Sequence, residues 1–259
     1  MRTFPWIQAA VLAAALPALA PGAAAATPDE LSDYEAKAQY AFFTGDANAL
    51  RGLARTVRTL GESEQPLVLY HYAHVQFRLL QLGAAREDDK AARREAGEAG
   101  EACVDALERA VARNPRFAEA HALQGACYGY LASLGALRAV TAGPRSGSRV
   151  EEAAKLDPRN PRVLLTRAFA LYFAPAAFGG DRERAAPLFV QAAEAFERLQ
   201  APRPGEPTWG AAEAWLFVGR TLEADGDLLG ARNAYEKALI VAPEFRAAQA
   251  RRAALGAPR

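Results

Sequence analysis

Residues 212–243, AEAWLFVGRTLEADGDLLGARNAYEKALIVAP, carry two apolar-periodic runs on either side of Gly226-Asp227. Trp215, Val218, Gly219 and Leu222 share one stripe at helical spacing, and Ala231, Tyr235, Ala238 and Leu239 share a second. Gly219 and Ala231 have almost no side chain, so two antiparallel helices can approach closely there. Trp215, Leu222 and Tyr235 are bulky and fill the space beside that contact. Pro243 cannot continue a helix and closes the second run. The stretch predicts a helical hairpin.

The spacing W-x2-V-G-x2-L, then A-x3-Y, then P resembles the tetratricopeptide repeat (TPR) family, whose period is about 34 residues. The resemblance implies an all-α, right-handed solenoid of helical hairpins. It also implies a protein that binds partners along the concave wall made by the first helix of each hairpin.

Working outward, weaker copies follow by spacing. In Asp29–Leu60, Leu31, Tyr34, Ala38 and Ala41 form one stripe and Leu50, Leu53, Ala54 and Val57 another, with Gly45-Asp46 in the role of Gly226-Asp227. Leu67–Leu82 predicts a strongly apolar helix. Its partner falls within Arg86–Arg113, opening on a charged stretch that reads as a solvated helical extension with pairs such as Asp89 and Arg93, where Gly97 and Gly100 make a break possible. Phe117–Tyr130 restarts the pattern, and 141–148 (TAGPRSGS) read as a loop that shortens the next helix to Val150–Leu156. Loops of that kind often lie on a repeat protein's binding face. Pro161–Ala174 and a helix through Ala185, Phe189 and Ala192 make the fourth hairpin, and Pro202–Pro207 read as a linker. Phe245–Leu255 reads as the polar-faced cap that a solenoid needs. The expectation is one TPR-like solenoid domain over 27–259, of about five hairpins and a C-terminal capping helix.

Residues 1–26 have Arg2, an apolar stretch from Trp6 to Ala20 and the run Ala23–Ala26, the pattern of a secretory signal peptide cut after Ala26. The alternative, a membrane anchor, is interrupted by Pro17 and Pro21 and falls short of the ~20 residues needed to span a bilayer. The expected location is the periplasm or the exterior, with no membrane span after cleavage. Of the chain's 31 basic and 30 acidic residues, only Arg2 lies in this segment, so the remainder is formally neutral. That balance offers no electrostatic footprint for nucleic acid. Export permits a disulfide. Cys103 and Cys127 are equidistant from Pro115 in the turn between two helices, so they lie level along an antiparallel pair. A bridge between them and two buried free thiols both fit.

By register, the inner wall gathers Phe42, Phe43, Tyr70, His74, Phe77, Tyr130, Leu165, Phe169, Tyr172, Phe173, Leu216 and Arg220. One reading is an open aromatic groove for an apolar or amphipathic segment of another exported or envelope protein. In a second reading the superhelix closes on itself, or its terminal helix fills the groove, and these residues are core. A third makes the wall a closed cavity for a small apolar organic ligand. Arg162 and Arg220 could anchor a carboxylate. His71 and His74 are three apart on a helix, but no third residue at useful spacing completes a metal site. There is no phosphate-cradling loop and no nucleophile elbow. The expectation is a non-enzymatic scaffold without cofactor or metal.

Overall fold

The computed structural model describes residues 26–256, so the expected leader, apart from Ala26, lies outside the described residues. Among the described residues, eleven α-helices follow one another, the first ten in antiparallel pairs: α1 (Pro28–Phe43) with α2 (Ala47–Thr56), α3 (Pro66–Ala84) with α4 (Lys90–Arg113), α5 (Ala118–Ser133) with α6 (Ala136–Leu156), α7 (Pro161–Phe173) with α8 (Arg182–Glu197), and α9 (Ala211–Ala224) with α10 (Leu228–Val241), then α11 (Arg246–Gly256). This is a TPR-like helical solenoid.

The sequence punctuates it at both ends of each hairpin. Asp46, Asp89, Asp181 and Asp227 each accept a hydrogen bond from a backbone N–H three residues on, capping α2, α4, α8 and α10. Gly45 and Gly226 sit at φ 68° and 86°, a conformation that favours glycine in the tight turns within the first and last hairpins. Asn114, Asp157 and Ala242 end α4, α6 and α10, each immediately before a proline.

One expectation is corrected. Residues 141–148 are helical, lying within α6 despite Pro144. Ala142, Ser146 and Val150 recur every fourth residue and make one narrow face. Ser146 Oγ donates to the Gly125 carbonyl at 2.8 Å. A Cβ on Gly125 would lie 2.6 Å from Val150, so the bare glycine is what admits α6. Pro144 leaves the Val140 carbonyl without its helical partner, which is tolerable on an exposed residue. The proposed binding-face loop therefore does not exist. The charged extension is helical as expected: α4 runs unbroken through Gly97 and Gly100, both buried, so the break those glycines allow does not occur. At Gly100 the missing side chain makes room for Leu131, whose Cδ2 would be 2.6 Å from a Cβ. Asp89 pairs with Arg86 at 3.0 Å, and Arg93 donates to the Leu134 carbonyl. Cys103 and Cys127 are joined by a disulfide across α4 and α5, with Cα atoms 6.5 Å apart.

The start and the end of the helical array meet. Phe245, entering α11, packs on Phe43 of α1 with ring centroids 4.4 Å apart. Arg78 of α3 reaches Glu213 of α9 at 2.5 Å. The solenoid closes on itself, and its inner helices surround a filled interior. Among the described residues no helix is long and apolar enough to cross a membrane.

Candidate functional site

The residues expected on an open groove are brought together, but half of them form a core. Tyr70, His74 and Leu165 are fully buried, and Phe77, Phe43 and Leu216 nearly so. Tyr70 and His74 are covered by Trp209, carried in by the stretch read as a linker, whereas Phe43 lies under Phe245. After α8 the chain turns inward and crosses the inner faces of α1 and α3. The Gly205 N–H donates to Ser32 Oγ at 2.8 Å, and the Gly205 carbonyl lies 2.7 Å from His71 Nε2. Arg162 donates to the Pro207 carbonyl. Trp209 is 1% exposed, stacked on His74, with its indole N–H donating to Tyr70 Oη at 2.7 Å. A groove that would hold an extended peptide in an open solenoid is thus occupied by this chain's own strap. The proline flanks disguised it; the tryptophan beside them was the signal that a buried segment was there.

One acid secures the strap. Glu35 Oε1 accepts the backbone N–H groups of Thr208 and Trp209, at 2.5 and 2.9 Å, and the Thr208 hydroxyl at 2.8 Å. Its other oxygen is 3.2 Å from His71 Nδ1. Burial alone would raise the Glu35 pKa, but the His71 hydrogen bond, the charges of His74 and His71 when protonated, and the Thr208 N–H outweigh it and hold the carboxyl at about 2. Burial, reinforced by Arg78, pushes His74 well below the ordinary histidine range, so its ring is neutral. The histidine pair is thereby committed to the core. Arg162 is also committed: its buried guanidinium holds Glu119 at 2.9 Å, so it does not await a foreign carboxylate.

The remaining wall residues emerge at the C-terminal ends of the inner helices. Tyr130 and Phe42 are half-buried; Tyr130 accepts from Gln81 at 3.2 Å, and Arg78 lies over the Phe42 ring. Phe169, Tyr172 and Phe173 of α7 form a continuous aromatic cluster with Phe189 of α8 and Phe217 of α9, with centroids 4.8–6.1 Å apart. Phe189 and Phe217 are buried beneath, whereas Phe173 is 54% exposed. The adjoining short 3-10 turn, Ala176–Phe178, leaves Phe178 73% exposed. Arg220 lies 4.7 Å from the Phe217 ring centre and 5.5 Å from that of Tyr172, and Arg182 lies 5.0 Å from Tyr172. Sequence reading missed Phe217 and Arg182. At the opposite end, where α3, α5 and α7 begin, a cleft of about 580 Å³ is lined by Pro66, Leu67, Phe117, Leu199, Pro202 and the Arg162–Glu119 pair, among others.

No family model matches the chain, and no curated protein is similar to it. Solved structures are similar in fold. The TPR protein TTC0263 of Thermus thermophilus aligns at 21% identity and TM-score 0.56, covering 87% of this chain and 98% of that one. The HusA haemophore of Porphyromonas gingivalis aligns at 19% identity and TM-score 0.58, covering 74% of this chain and 92% of its own. The fold class is therefore TPR-like, with an internal strap filling the inner wall of this chain.

Proposed function

We propose that residues 27–259 act outside the cytoplasm as a non-catalytic scaffold. In this reading it captures an amphipathic segment of another exported or envelope protein on the exposed end of the aromatic wall. The carrying observation is Phe173, a large aromatic half in solvent yet held between Tyr172 and Phe217. An anchor fixed in advance loses little conformational entropy on binding, which is what aromatic hot spots exploit. TPR-like solenoids as a class support a binding role, and the Cys103–Cys127 bridge supports an oxidising compartment.

A second reading, a small apolar ligand, is favoured by the largely apolar 580 Å³ cleft and by the haemophore among the structural neighbours. One experiment separates the two. Protein purified from the exporting cell should carry no retained small-molecule mass in native mass spectrometry. It should also cross-link to an envelope protein, and Tyr172→Ala with Phe173→Ala should abolish that cross-link at unchanged helicity. Retained ligand mass, or a cross-link indifferent to the double variant, would reverse the assignment.

A further inference from the structure

Arg182 and Arg220 both place their guanidinium carbons within 5.5 Å of the Tyr172 ring centre, one from the start of α8 and one from α9. Among the described residues neither is within ion-pair distance of a carboxylate. Arg78 and Arg162, by contrast, are each buried on an acid. Two cations thus lie beside one ring, Tyr172, which packs on the exposed Phe173. Both guanidiniums lie within cation–π distance of the rings, and with neither in an ion pair their N–H groups can form bidentate hydrogen bonds to a carboxylate. Like charges gathered on an apolar patch repel one another, and an acidic partner relieves that repulsion as it binds.

On the reading that this patch captures a protein segment, we infer that the segment is acidic. It is an amphipathic helix whose apolar side chains seat on Phe173, with Asp or Glu residues flanking that stripe to meet Arg182 and Arg220. Carboxylates three or four residues apart on one helix face lie about 5–6 Å apart at Cβ and can reach both cations. The charges steer association and set specificity, while the rings supply the buried area.

The test uses residues 27–259 and three synthetic amphipathic helices with one apolar stripe, flanked by Glu, by Gln or by Lys, read by fluorescence anisotropy. The Glu peptide should bind at least about tenfold more tightly than the Gln peptide at low salt, and the Lys peptide most weakly; high salt should shrink that gap. Arg182→Gln with Arg220→Gln should erase the preference for Glu, whereas Arg182→Lys with Arg220→Lys should keep only the salt-sensitive part that charge alone supplies, because lysine cannot bind a carboxylate bidentately. Equal binding of the Glu and Gln peptides overturns the acidic assignment but leaves the patch standing. Binding that survives Tyr172→Ala with Phe173→Ala, or no binding of any peptide, overturns the patch as well. Complete displacement of the Glu peptide by stoichiometric dodecanoate would reassign the site to a free amphiphilic acid.

Discussion

Glu35 shows how one residue can decide what a whole surface does. It lies four residues after Leu31, on the side of α1 that also buries Ala38, where an apolar residue would be expected. Its carboxylate satisfies consecutive backbone N–H groups at the entry to α9, where Gly210 offers no side-chain cap. The pH dependence has a definite sign. A carboxyl held at about 2 in the fold and near 4.5 in the unfolded chain stabilises the protein fully above the higher value. That contribution, about 3 kcal/mol from the size of the shift, is lost as pH falls from 4.5 toward 2. His74 acts in the same direction from higher pH: the fold resists its protonation, so stability begins to decline below about 6.5. Glu35→Gln should lower urea-unfolding stability at pH 7 by about 3 kcal/mol and flatten the loss between pH 4.5 and 2, while leaving the phase that begins near 6.5. An unchanged acid profile would show that Glu35 is not the group holding the strap.

At the scale of helices, steric room at a few glycines sets the packing. A Cβ on Gly219 would collide with the Tyr235 ring, which cannot swing away because its hydroxyl is held by Glu223 at 2.5 Å. Gly147 lies within α6 with open space around it. Gly219→Ala should therefore cost about 2 kcal/mol through overpacking. Gly147→Ala should stabilise the protein by up to about 1 kcal/mol through helix propensity alone. Chemical denaturation of the two variants checks both signs, and a neutral Gly147→Ala would argue that 141–148 is not helical after all. This scale was legible in the sequence wherever one hairpin's own spacing carries the information, as with Gly219, Tyr235 and the Gly-Asp turns. Residues 141–148 were not legible, because Gly143, Pro144 and Gly147 are local breakers. Their disfavour is overridden by Gly125, which lies on another helix and outside any local window of sequence.

Across the whole molecule, closure was the least legible feature. Phe43 meeting Phe245, Arg78 meeting Glu213 and Trp209 entering between α1 and α3 are all contacts between distant repeats. Nearest-neighbour stacking, the rule by which solenoids are read, says nothing of them. Periodicity gathered the aromatic residues on one set of helices but could not tell an open wall from a filled one. With the interior filled, the exposed part of the aromatic wall is the rim at Phe173, beside Tyr172, Arg182 and Arg220.

That division between a filled interior and a free rim is open to one direct measurement. In residues 27–259 with Trp215→Phe, Trp209 is the single indole, and its fluorescence reports on the strap alone. The emission should be blue-shifted, protected from acrylamide, and unchanged when a partner segment binds. Red-shifted, readily quenched emission in the free protein, or exposure of Trp209 on binding, would show that the strap leaves the interior and that the groove itself is the binding site.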